Sequence, residues 1–291
     1  MKIRNIFSIG LGAFAAAILL SGAAAVAQDS QERPTLNKDK QPAPQPATTT
    51  LSLDTQETPP ASSEEDAAMK AVQAMPEGSP ENLQAKLDAI EAFLQKFPQT
   101  RYRSVAYGFL TIGFAQVGKS AKALEYGDKE LELNPNDVAT MAIISQTIPR
   151  VINSSTPDAA KKLDRAESLG KRAVEVVPTL PKPEGMTDET FVSTKNQTLA
   201  MAHGGIGLVD WRRGKFADAI PELEESVKLD PVADPVNWYI LGIVNQNTSH
   251  FDAAVAAYAH CAAIASGLQG TCKTKTDEAK KLAATKLSAP K

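Results

Sequence analysis

The chain has 291 residues, with 31 Lys and Arg against 34 Asp and Glu, a formal net charge of −3 and only two cysteines. That balance lacks the basic footprint of a nucleic-acid binder. Two cysteines also limit the chain to a single disulfide.

Residues 1–27 read as a secretory leader: Lys2 and Arg4 supply the positive start, Ile6–Leu20 the apolar run, and Ala25-Val26-Ala27 a small-residue cleavage site before Gln28. The alternative is an uncleaved inner-membrane tether, because Ile6–Val26 is about long enough to span a bilayer. Leu20-Ser21-Gly22-Ala23 resembles a lipoprotein box, but Ala23 stands where the lipidated cysteine belongs. Cleavage removes Lys2 and Arg4, leaves the mature chain more acidic and predicts no stable membrane insertion. The localisation expected is periplasmic or secreted. Residues 28–61, rich in Pro, Thr and Gln and poor in large apolar side chains, cannot offset their ordering entropy and are expected to form a disordered linker.

Helical signals begin at Ser62-Ser63-Glu64-Glu65, spaced as a capping box. Ser79-Pro80-Glu81 opens a second helix carrying Leu83, Leu87, Ile90, Phe93, Leu94 and Phe97. Tyr107, Leu110, Gly118, Ala123 and Pro135 then form one set of markers, with Thr111 and Gly127 at two of its positions. Ala166, Gly170, Ala173 and Pro178 form another, with Thr156-Pro157 as its expected cap and first turn. The intervals Ala123–Ala166 and Ala166–Ala219 are long, so insertions are placed at Ile152–Thr156 and Thr179–Thr187. The second insertion is too proline-rich for a helix.

The regular region is 200–266. Gly207, Gly214, Phe216, Ala219, Leu223 and Pro231 are echoed by Trp238, Leu241, Gly242, Phe251, Ala254 and Tyr258. Ala219 and Ala254 lie about 35 residues apart, close to the 34-residue period of a helix-turn-helix repeat. Asp234 reads as an N-cap with Pro235 in the first turn, and Pro231 as the stop of the preceding helix. Thr271–Leu287, rich in Lys and Ala, suits the polar end cap that a solenoid needs.

These markers resemble the tetratricopeptide repeat (TPR) family, strongly over 200–266 and loosely elsewhere in 62–288. The resemblance implies an all-α, right-handed solenoid of about five helix pairs plus a C-terminal capping helix. It also implies a concave face lined by the first helix of each pair, where such arrays bind peptides or protein segments. Carried onto this chain, the groove candidates are Leu208, Trp211 and Arg212 in one repeat and Tyr239, Ile243 and Asn247 in the next, with Val105, Ile112 and Gln116 upstream. Trp211 and Tyr239 read equally well as packing between repeats. A non-enzymatic envelope scaffold with a protein or peptide partner and no cofactor is expected. The alternatives are a structural or small-ligand-binding solenoid, with Thr179–Thr187 as a lid, and a tethered assembly factor.

Chemistry-bearing motifs do not compete with that reading. No His-Glu-x-x-His, Cys-x-x-Cys or Gly-x-Ser-x-Gly occurs. Gly204-Gly205-Ile-Gly207 lacks both the strand before it and the Lys-Ser/Thr after it that a phosphate loop requires, so close helix packing is expected. The run Glu222–Glu225 reads as a solvated face. Cys261 and Cys272 flank the last turn, and antiparallel helices would bring them together for a disulfide. Two free thiols, or a metal site with His260, are the alternatives.

Overall fold

A computed structural model describes residues 62–288 apart from 77, 154 and 231–233, so the expected leader, the expected linker and the expected stop at Pro231 lie outside the described residues. Eleven α-helices and no strand are present among the described residues. They are α1 (Ser63–Gln73), α2 (Pro80–Lys96), α3 (Arg103–Gln116), α4 (Ser120–Leu133), α5 (Val138–Val151), α6 (Ala159–Val176), α7 (Asp188–Arg212), α8 (Phe216–Leu229), α9 (Pro235–Asn247), α10 (Phe251–Ala263) and α11 (Gln269–Ser288). Consecutive helices form five pairs, and α11 closes the array against α10. The architecture is a TPR-type α-solenoid.

Helix starts are set locally. Ser79 Oγ accepts from the Asn82 N–H at 3.2 Å with Pro80 in the first turn, and Asp234 Oδ1 accepts from the Val236 N–H at 2.9 Å ahead of Pro235. At α1 only half of the capping box forms. Ser62 Oγ accepts from the Glu65 N–H at 3.1 Å, but the Glu65 carboxylate turns away to take a hydrogen bond from Thr100 Oγ1. The expected cap at Thr156-Pro157 is displaced. Thr156 Oγ1 accepts from the Asn153 N–H, and α6 begins after Asp158, which adopts a left-handed conformation (φ 54°). Residues 177–179 make one 3-10 turn before the proline-rich loop runs to the Thr187 cap of α7.

Within three pairs the turn repeats. Gly118 and Gly214 both have φ 73°, and the following amide bonds five residues back, from Lys119 to Phe114 and from Lys215 to Asp210. The third copy, with the same bond from His250 to Asn245, uses Ser249 at φ 63°. Serine is strained there where glycine is not.

The core follows one volume rule. Ala123, Ala166, Ala219 and Ala254, one on the second helix of each of the last four pairs, are 0–1% exposed. Four residues further on, the second helix faces a single position on the first. Where that position is Gly242 it meets Tyr258, whose Cδ1 would lie 2.5 Å from an added Cβ; where it is Gly207 it meets Leu223, with Cγ at 2.7 Å. In the α3/α4 and α5/α6 pairs the sizes reverse: Thr111 faces Gly127 and Ser145 faces Gly170. An added Cβ at Gly127 would lie 3.3 Å from Thr111 and closer still, at 2.8 Å, to Ile144 of α5, so the missing side chain makes room for the next pair as well as for Thr111.

Each of the three glycines of α7 serves a different neighbour. Gly204 admits the side chains of Ser226 and Asn237, Gly207 admits Leu223, and Gly205 lies against the α5 backbone, where an added Cβ would be 2.8 Å from the Ser145 carbonyl carbon and 2.9 Å from the Gln146 nitrogen. A polar pin lies beside Gly204: Asn237 donates to Ser226 Oγ at 3.0 Å and Ser226 donates to the Ala200 carbonyl at 2.7 Å, so α7, α8 and α9 are joined in the interior, although Asn237 Oδ1 is buried without a partner.

At the far end, α11 turns Cys272, Thr276 and Ala279 inward and leaves Leu282 39% exposed. Cys261 and Cys272 stand at disulfide distance, with Cα atoms 5.8 Å apart and eleven residues of separation. A bond across so short a loop contributes about 3 kcal/mol in the chain-entropy description.

Gly205→Ala tests the closest of these approaches. Alanine gains about 1 kcal/mol of helix propensity, but its Cβ collides with backbone rather than with a side chain that can turn, which costs about 1–3 kcal/mol. The expected outcome is a lower Tm than wild type in thermal unfolding, whereas Gly270→Ala, whose Cβ meets nothing within 4 Å, does not lower it.

Candidate functional site

The facing small positions, Thr111, Ser145, Gly207 and Gly242, put the first helices α3, α5, α7 and α9 in a common register. One residue further on stand Ile112, Gln146, Leu208 and Ile243; five further on stand Gln116, Arg150, Arg212 and Asn247. These two rows contain most of the expected groove residues.

The structure divides those candidates. Leu208 is 1% exposed and packs with Ala219, Leu223 and Ile240, so it is core and offers nothing to a partner; the interdigitation of α7 with α8 and α9 explains its loss from the surface. Trp211 is half-buried against the same cluster, and Arg212 lies over its ring with the guanidinium carbon 4.5 Å from the centroid. Arg212 Nε also donates to the Pro149 carbonyl at 2.7 Å, satisfying an end carbonyl of α5, and the residue as a whole is exposed. Burial of part of the side chain holds the Arg212 pKa below its ordinary value. Tyr239 and Ile243 are half-buried, Tyr239 lying 6.0 Å from the Tyr258 ring. Asn247 is exposed, its amide donating to the Ile243 carbonyl at 2.9 Å. Val105, Ile112 and Gln116 are half-buried.

Arg150, not among the expected site residues, occupies the same row. It reaches across to form an ion pair with the Asp234 carboxylate, joining the end of α5 to the cap of α9, with the two side chains only 12% and 18% exposed. Its position five residues beyond Ser145 carried the signal, but the insertions between repeats hid the register. Arg213, next to Arg212, points elsewhere and joins Asp164 and Glu167 of α6; hydrogen bonds from Arg213 and then Lys171 hold the Glu167 carboxyl down at about 2.

The histidines are occupied structurally. His203 Nδ1 is 2.7 Å from Glu222 Oε2, so Glu222 is tied across the α7/α8 pair and is not simply a solvated residue. His260 stacks on Trp238 with centroids 4.4 Å apart, and His250 pairs with Thr248 Oγ1. No group of three or more His, Cys, Asp or Glu side chains able to hold a metal occurs among the described residues. No helix among them is long and apolar enough to cross a membrane. A shallow depression of about 510 Å³ lies between the start of α7 and the end of α8, lined by Asp188, Glu189, Val192, Leu229 and their neighbours.

One carboxyl is buried without a cation. Glu130 is 2% exposed, accepts from Ser104 Oγ at 2.7 Å, and has a second oxygen with no partner. Burial raises its pKa to about 7, the Ser104 bond opposes that shift, and the nearby Asp137 charge adds to it. Ser104, its hydrogen-bond donor, lies on the facing helix α3, so the group titrates inside the α3/α4 pair.

These features define a solenoid whose surface stripe consists of aromatic, aliphatic and amide or guanidinium side chains. No family model and no curated protein matches the chain. Among solved structures it is similar in fold to the thermophilic TPR protein TTC0263 of Thermus thermophilus, at 19% identity and a TM-score of 0.48, over 75% of this chain and 99% of that one. It is also similar to MamA of Desulfovibrio magneticus RS-1, at 15% identity and a TM-score of 0.44, over 77% and 97%. The assignment of architecture rests on the helix pairs of this chain.

Glu130 sets a pH dependence with a defined sign. Its pKa is higher in the folded state, so the folded chain holds a proton that the unfolded chain has released, and stability falls as pH rises from about 4.5 to about 7. Glu130→Gln keeps a partner for Ser104 and removes the ionisation. Denaturant titrations at pH 5 and pH 8 are expected to show the wild type losing up to about 3 kcal/mol relative to the variant between the two.

Proposed function

We propose that this protein is a non-enzymatic scaffold or adaptor of the bacterial envelope, binding a protein or peptide segment along the concave face formed by α3, α5, α7 and α9. The observation that supports it is the stripe itself: Trp211 with Arg212 above it, then Tyr239, Ile243 and Asn247 one pair further on, on helices in a common register. Aromatic and guanidinium groups beside aliphatic ones form the composition in which binding energy concentrates at protein interfaces. The envelope location is supported by the leader at 1–27 and by the cysteine pair at disulfide distance. Carboxy-terminal chaperone peptides do not fit, because the stripe lacks a repeated set of Lys, Asn and Arg.

The test follows from which side chains are spare. Trp211 and Leu208 hold the core, so their loss would confound binding with folding. Arg212→Ala with Asn247→Ala removes two exposed side chains and leaves Trp211 and Leu208 in place; the Arg212 contacts with Trp211 and the Pro149 carbonyl go with it, so Tm is measured beside capture. Mature protein from residue 28 onward, used to capture partners from envelope extract, is expected to retain specific proteins that the double variant loses, with the helical circular-dichroism signal unchanged. Full capture by the folded double variant would rule out binding along this stripe.

A further inference from the structure

Among the described side chains of α11, none of the buried ones is a large apolar residue. Cys272, Thr276 and Ala279 are buried, Ala283 is half-buried, and Leu282 points outward. Every pair preceding it from α3 onward is anchored by at least one buried Phe, Ile, Leu or Tyr. The helix nevertheless covers an apolar surface: Ala279 closes a cluster with Ala254 and Tyr258, and Tyr239, Ile243 and Val255 pack against that cluster. Charged residues of α11 near the contact pair along their own helix, Lys275 with Glu278 and Lys280 with Asp277. Thr276 likewise donates within the helix, to the Cys272 carbonyl. The strong links to α10 gather at the first turn, where Gln269 Nε2 donates to the Ala262 carbonyl at 3.1 Å and the cysteine pair stands beside it.

We infer that the Cys261–Cys272 bond acts as a latch for α11, and that its reduction releases the helix and uncovers Tyr239 and Ile243. A dithiol reductant cleaves the Sγ–Sγ bond by exchange: its own two thiols become a disulfide, and the two electrons and two protons they lose leave Cys261 and Cys272 as thiols. With the crosslink gone, the described contacts that hold α11 to α10 are the Gln269 hydrogen bond and the packing of small residues, and the helix opens locally while the rest of the array stays folded. Because Tyr239 and Ile243 belong to the proposed binding stripe, the redox state of this bond sets how much of its last segment is available. That consequence rests on the stripe being the binding surface; the release of α11 does not.

The experiment has separate readouts for the two statements. Thiol titration of denatured, unreduced protein isolated from the oxidising compartment is expected to give no free thiol; two free thiols would overturn the latch. Hydrogen exchange is then followed by mass spectrometry with and without dithiothreitol. Reduction is expected to speed exchange of the α11 amides roughly a hundredfold, with α3–α8 unchanged. The Cys261→Ser/Cys272→Ser double variant should reproduce the fast exchange without reductant. Unchanged α11 protection in reduced protein or in the double variant overturns the inference. Partner capture by oxidised and reduced protein tests the second statement: a change in the captured proteins supports it, and identical capture with α11 released overturns the link to the stripe while leaving the latch intact.

Discussion

The distance between the two helices of a pair governs this structure. Once the backbones approach closely enough to bury an alanine with no exposed surface, as at Ala166, Ala219 and Ala254, the space four residues further on has a fixed volume that two facing side chains must share. One partner can be large only if the other is nearly absent. Tyr258 opposite Gly242 and Gly127 opposite Thr111 are two solutions of the same constraint. Interior packing is dense enough that neither member can change alone.

The same closeness extends sideways between α5 and α7, where Gly205 brings one backbone against another. This contact buries Met141, Ala142 and Ile144 of α5 and draws Val209 of α7 into a cluster with Ile148, Ile152 and Leu163. Tight lateral packing has a cost at the surface, because it takes Ala142 out of reach of any partner, as the packing of α8 and α9 does Leu208. What stays accessible lies at the edge of the row, where Arg212 and Asn247 extend past the packed section. Arg150 spans from α5 to Asp234 at the start of α9. A largely buried ion pair of this kind roughly breaks even in stability against apolar residues of similar size, so its contribution is to the relative placement of repeats rather than to their folding.

Much of this was legible in the sequence because the markers act over short distances. Asp234-Pro235 and Ser79-Pro80 define helix starts through bonds two or three residues away, and the alanine column follows from helical periodicity within one pair. The glycine run in α7 was readable as a packing feature for the same reason. Features that depend on non-adjacent repeats were not readable. Leu208 has the chemistry of a surface anchor, and only the approach of α9 places it inside; the Arg150–Asp234 pair links residues 84 positions apart across an insertion. The Glu65 carboxylate chose Thr100 over its own helix end, a competition between local and distant partners that spacing cannot resolve. The displaced start of α6 has a similar origin, since Asn153 and Thr156 satisfy each other in the turn and leave Asp158 to redirect the chain.

Unequal contacts along the array also give it mechanical character. Each repeat touches chiefly its neighbours, so the joints between helices behave as springs in series and a load applied along the array is borne by all of them in turn. The α5–α7 joint, backbone against backbone at Gly205, has little room to deform and is stiff. The joint between α7 and α9 is reinforced from within by the Asn237–Ser226–Ala200 chain of hydrogen bonds. Contacts are sparsest at the N-terminal end, between α1, α2 and α3, so a partner pulling on the solenoid would stretch that end first.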